Sequence, residues 1–139
     1  MYKSKNHSKF SLKAHLVFVT KYRKPLLKNN LIVTQLRLKL ADIEARSDFS
    51  IELAEVDKDH IHILVDYEPK VSILQIVRRL KQETTFTLWR LFEEKLRKHY
   101  YKERTFWSDG YFVCSIGEGA SYETIQKYIS TQGWLQFLH

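Results

Sequence analysis

Two short runs with a period of two lie almost end to end. FSIELAEV (49–56) and HIHILVDY (60–67) each alternate along the chain, and only DKD separates them. Alternation sends successive side chains to opposite faces of a strand. A parallel pair would need a crossover of about a dozen residues, so this spacing predicts an antiparallel hairpin. The second run places Ile61, Ile63 and Val65 on one face and His60 and His62 together on the other. That hairpin is the seed around which the rest of the chain must be arranged.

Upstream, SLKAHLVFVTK (11–21) alternates with Leu12, Ala14, Leu16 and Phe18 on one side. Val17 and Val19 on the other side predict a strand buried on both faces, hence a central one. Asn29 or Asn30 can cap a helix over LIVTQLRLKLADIEA, where Leu36, Leu40 and Ile43 recur at helical spacing. Ser72-x-x-Gln75 has the form of a capping box and opens a second helix that runs to LWRLFEEKLRKH, with a break expected near Thr84–Thr87. A turn at Ser108-Asp109-Gly110 leads into a fourth strand, YFVCSIG (111–117). The joint GEGA (117–120) precedes a last helix, YETIQKYISTQ, with Ser121 as its cap.

The order β-α-β-β-α-β-α predicts an α+β protein with a ferredoxin-like (split βαβ) antiparallel sheet. Helices are expected on one face, with an added C-terminal helix, and strands 1 and 3 are expected at the centre. At 139 residues, 44% of them hydrophobic, the chain reads as one domain over 1–139. Its only cysteine is Cys114, so no internal disulfide can form, and the apolar runs are too short to span a bilayer. A cytoplasmic protein with no membrane partner is expected.

Charge is unevenly spread. Residues 1–41 hold ten Lys or Arg and no acid, so this third carries +10 and the remainder −3, for a net +7. A one-signed segment with interleaved aromatics points to a polyanionic partner. Lys21, Tyr22, Arg23 and Lys24 form one candidate DNA-binding patch at the exit of strand 1. Arg78, Arg79 and Lys81 form another on the second helix. Each of these charges, taken singly, is read equally well as a solvated surface group.

His60 and His62 point the same way, about 7 Å apart along the strand, and can converge on one metal ion. An isolated H-x-H is more often a polar sheet face, and two histidines fall short of a closed zinc site. Tyr128 and Gln132 lie at i and i+4 on one face of the last helix. They read either as the border of an ordinary amphipathic stripe or as groups that reach the same centre, with the Gln132 carbonyl as a ligand. His15 reads as a structural residue or a support to the histidines from the neighbouring strand. Cys114 reads as a small buried hydrophobe, and Trp89, Trp107 and Trp134 as core or interface.

Taken together, HLVFVTKYRKPLL (15–27), DHIHILVDYEP (59–69), IVRRLK (76–81), FWSDGYFVCSIG (106–117) and YETIQKYISTQ (122–132) resemble the TnpA-type single-tyrosine HUH transposases of the insertion-sequence 200/605 family. The resemblance covers nearly the whole chain, with the motifs in the family's order. It implies a homodimer that cuts and rejoins single-stranded DNA at the hairpin ends of a mobile element in a prokaryotic cytoplasm, associated with the nucleoid when bound to DNA. It further implies Tyr128 as nucleophile, and His60, His62 and Gln132 as ligands of a divalent ion, Mg²⁺ or Mn²⁺. The tyrosine helix of one subunit would complete the histidine site of the other.

Two other readings stay open on the residues alone. One is a ferredoxin-like nucleic-acid-binding module without catalysis, but a sheet of that kind displays aromatics on its central strands, where this chain has HIHILV. The other is a nuclease using water, which would need more carboxylates at the histidines than the local sequence displays.

Overall fold

The structure is a computed structural model, and it describes residues 11–116. Four strands form one sheet in the order β2-β3-β1-β4: β1 (Leu12–Val19), β2 (Phe49–Asp57), β3 (His60–Tyr67) and β4 (Phe112–Ile116). Every neighbouring pair is antiparallel. β1 and β3 are the two central strands, as the apolar residues on both faces of β1 and the split βαβ order predict. The joint at GEGA, the last helix and Trp134 lie outside the described residues.

Helix α1 (Asn30–Ala45) starts where Asn29 accepts hydrogen bonds from the Leu31 and Ile32 amides, at 3.0 Å each. These are two of the amides a first turn leaves without helical partners. Its buried stripe is Ile32, Leu36, Leu40 and Ile43. Helix α2 (Ile73–His99) opens on a complete capping box: Ser72 Oγ accepts from the Gln75 amide at 3.0 Å, and Gln75 Oε1 accepts from the Ser72 amide at 3.4 Å.

Both helices cover one face of the sheet. There Ala14, Leu16 and Phe18 of β1 and Ile61, Ile63 and Val65 of β3 pack with Leu36, Leu40, Ile76, Leu80 and Leu88 in one core. The opposite face carries a smaller cluster centred on Val17, with Val19, Phe112 and Cys114 around it. It also carries His15, His60 and His62, which therefore sit on rigid central strands behind the main core.

Two local expectations are corrected. The hairpin between β2 and β3 is tighter than DKD suggested: Asp57 pairs with His60, leaving only Lys58 and Asp59 in the turn. The irregularity of α2 falls at Phe92 (φ −129°, ψ 37°), not at Thr84–Thr87. Thr84 and Thr87 are buried, and the Thr84 hydroxyl donates to the Leu80 carbonyl (2.6 Å) while accepting from Trp107 Nε1 (3.0 Å). Packing and satisfied hydrogen bonds override the weak helix preference of β-branched residues there. Beyond the kink, Leu96 and Tyr100 return to the core.

Candidate active site

Cross-strand register assembles the site. Val19 of β1 lies opposite His60 and Val17 opposite His62, while on the other flank Asp57 and Glu55 of β2 face His60 and His62. The two imidazoles of β3 have ring centroids 5.0 Å apart and meet nearly edge to face, at 82°.

Each ring is held through Nδ1. His60 Nδ1 is 2.9 Å from Asp59 Oδ1, and Asp59 Oδ2 accepts from Arg23 at 2.9 Å. Burial pushes the Asp59 carboxyl up, but hydrogen bonds from His60 and Arg23 outweigh it and hold the group below its ordinary value. An ionised carboxylate only accepts, so His60 must donate from Nδ1. A neutral His60 then carries its lone pair on Nε2.

His62 Nδ1 lies 3.0 Å from His15 Nε2, with the two rings stacked at 5.1 Å and 8°. Burial, followed by the neighbouring His62, lowers His15 to about 4. Burial, followed by the charge of His60, lowers His62 to about 4 against the pull of Glu55 and Asp57. Both rings are neutral at pH 7. When His62 donates from Nδ1 to His15, its Nε2 lone pair is also free to ligate. The donor set therefore fits a divalent cation: two imidazoles on one rigid strand, each oriented from behind. Among the described residues no group of three His, Cys, Asp or Glu side chains is placed to hold a metal ion. Gln132 and Tyr128 lie outside the described residues.

The candidate DNA-binding residues divide by what they already hold. Tyr22 is 71% exposed, Arg78 is exposed, and Lys24 is half-buried. Lys21 pairs with Glu103 at 3.2 Å. Arg23 is turned inward to Asp59, as described above. Arg79 bonds Glu83 (2.9 Å) and Ser47 Oγ (2.6 Å), bracing α2 against the end of α1. Lys81 donates to the Ser108, Asp109 and Gly110 carbonyls, closing the turn before β4. Trp89 and Trp107 are buried, as expected, and Cys114 is half-buried.

Sequence reasoning missed Asp59, Glu55 and Asp57 as members of the site. Asp59 has the wrong parity for the histidine face, but it sits in a turn, where strand alternation does not govern direction. Glu55 and Asp57 lie across the strand from the histidines, and their charges act on His62. Their parity in β2 was a usable signal, once the hairpin register was known.

The class defined by this arrangement is an antiparallel α+β protein with a paired-histidine centre on the sheet face turned away from its helices. The chain belongs to the family described as "Transposase IS200 like", whose model matches residues 8–132. It is 33% identical over 133 residues to the transposase for insertion sequence element IS200 of Salmonella typhimurium LT2, covering 94% of this chain and 82% of that protein. A crystal structure of a candidate transposase from Deinococcus radiodurans R1 superposes with a TM-score of 0.70 at 26% identity, covering 95% and 98% of the two chains. The fold is shared with a REP-associated tyrosine transposase bound to a REP hairpin, with a TM-score of 0.58 at 13% identity, covering 96% of this chain and 76% of that one. Among the described residues no helix is long and apolar enough to cross a membrane.

Proposed function

We propose that this chain is a single-tyrosine HUH transposase. It cleaves and rejoins single-stranded DNA at the hairpin ends of an insertion sequence through a 5′-phosphotyrosine. The observation that carries the reading is the pair His60 and His62, each engaged at Nδ1 and each able to present Nε2 to the same side of the sheet. The family and the hairpin-bound relative support it. The strand order supports a ferredoxin-like sheet within a single domain. Function in the prokaryotic cytoplasm, at the nucleoid when DNA is bound, follows from the same reading.

In this mechanism His60, His62 and Gln132 would hold Mg²⁺ or Mn²⁺, which when bound would supply charge neutralisation at the scissile phosphate. The Tyr128 oxygen attacks phosphorus in line, the bond to the 3′ oxygen breaks, and the leaving oxygen ends as a 3′-OH that carries the phenol's proton. Bond energy is conserved in the phosphotyrosine, so a second 3′-OH can reverse the step without a nucleotide cofactor. Asp59 keeps His60 in the ligating tautomer throughout, and His15 orients the His62 ring.

Incubated with a single-stranded DNA end and Mn²⁺, the protein is expected to give a covalent protein–DNA band on a denaturing gel. The band should vanish with a chelator and with Tyr128→Phe. Absence of any adduct on the correct DNA end would sink the proposal. Glu55 and Asp57 favour a second reading, hydrolysis by water, and cleavage that persists in Tyr128→Phe would select it.

The chain is further proposed to act as a homodimer whose tyrosine helix completes the partner's histidine site. Mixed dimers of His62→Ala and Tyr128→Phe chains should regain part of the activity that each lacks alone. Verified mixed dimers that stay inactive would contradict sharing.

A further inference from the structure

The turn after β1 is strained, and it is firmly held. Tyr22 (φ 60°) and Arg23 (φ 54°) both occupy the left-handed region, which side chains other than glycine rarely adopt. Four hydrogen bonds keep them there. The Lys21 amide donates to the Phe106 carbonyl (2.8 Å), and Tyr100 Oη donates to the Lys21 carbonyl (2.8 Å). Thr20 Oγ1 donates to the Lys24 carbonyl (2.7 Å), and the Arg23 amide donates to the Thr20 carbonyl (2.9 Å). Strain that survives at a site is commonly part of its function. Here it sends neighbouring side chains in opposite directions: Arg23 inward to the carboxylate that holds His60, and Tyr22 outward into solvent.

Tyr22 borders a cavity of ≈ 270 Å³ between this turn and the segment after α2. Tyr101, 70% exposed, lines the same cavity, with Lys24, His99 and Lys102. Lys21 Nζ lies 5.8 Å from the centre of the Tyr22 ring, and Lys102 Nζ lies 5.8 Å from that of Tyr101. The buried Tyr100 ring forms the back wall, 6.3 Å from Tyr22 and tilted by 42°. The acid lining the cavity, Glu103, is neutralised by Lys21 at 3.2 Å. Exposed flat rings flanked by lysines suit a ligand that joins a planar face to a negative charge. That combination is a nucleotide of an unpaired strand, whose base stacks on aromatics while its phosphates meet cations.

We propose that this cavity is a nucleobase pocket for single-stranded DNA, in which one unpaired base stacks on Tyr22 beside Tyr101 while Lys24 and Lys102 hold the flanking phosphates. The substrate class rests on the proposed function. The pocket adds a contact to it, on the turn whose next residue, Arg23, holds Asp59.

Tyr22→Gly tests this cleanly, because glycine adopts φ 60° without strain. The variant should melt no lower than the native protein. Yet its affinity for a fluorescein-labelled single strand of roughly 16 nucleotides, measured in chelator, should fall about tenfold. Tyr101→Ala should behave likewise, and Tyr22→Phe should bind as the native protein does. A single abasic position in the strand should weaken native binding by a similar factor and have no effect on Tyr22→Gly. Unchanged affinity in Tyr22→Gly, or an equal abasic penalty in both proteins, would overturn the pocket. The gel assay for the covalent adduct is independent: an adduct with no Tyr22 dependence leaves the transposase standing without the pocket, and the reverse result leaves the pocket without the chemistry.

Discussion

If His60 and His62 bind Mn²⁺ as proposed, Asp59→Asn is expected to lower that affinity about 10- to 100-fold, the range for loss of a group that orients a ligating histidine. The buried carboxylate accepts from Arg23 on one oxygen and from His60 on the other. An amide cannot do both. If its oxygen faces His60, its NH₂ opposes the Arg23 guanidinium, which has only donors. If the NH₂ faces His60, Nδ1 must accept, the ring proton moves to Nε2, and the ligating lone pair is lost. A titration that follows free Mn²⁺ by electron paramagnetic resonance reads the effect without DNA or turnover. A melting curve on the same sample confirms that the variant is folded. Native Mn²⁺ affinity in a folded Asp59→Asn protein would show that the orientation of His60 is set elsewhere.

In chelator, the protein is expected to lose stability on going from pH 7 to pH 5, by about 2 kcal/mol for the buried His15 and by less for the partly exposed His62, each of which titrates normally only when unfolded. The sign follows from proton counts. Unfolded, both rings take up protons near 6.5; folded, burial holds each back to about 4. Between those values the unfolded chain binds more protons, so stability rises with pH and falls with acid. Asp59 does not confuse this window: its carboxyl is held below 3.8 in the fold, so its stabilising share is lost only at still lower pH. Urea titrations at pH 7, 6 and 5 measure the slope. A His15→Gln, His62→Gln double variant should show a flatter profile, and a flat profile in the native protein would mean that neither ring is kept neutral by burial.

The architecture was legible because periodicity and capping are written locally. The alternation of Leu16, Phe18, Ile61 and Ile63, the Asn29 cap and the Ser72–Gln75 box each needs only a few neighbouring residues to be recognised. The central position of β1 followed from apolar residues on both of its faces, and that of β3 from the order of the elements. The same locality explains what was misplaced. Threonines at 84 and 87 look like a helix break until Trp107, far along the chain, is seen donating to Thr84. Lys21, Arg23, Arg79 and Lys81 read alike as basic residues facing a polyanion, and only the fold reveals that each already has a carboxylate, a hydroxyl or carbonyls to hold.

The amino-acid string alone determined that two histidines would share one face of a central strand, because side chains two residues apart in a strand cannot point otherwise. Only the folded molecule decided what stands behind each ring. Asp59 reaches His60 from a two-residue turn, His15 reaches His62 from the neighbouring strand, and Arg23 reaches Asp59 from a turn with positive φ. Each of these contacts depends on strand register or backbone direction, and both arise from packing across the sheet rather than from the order of neighbouring residues.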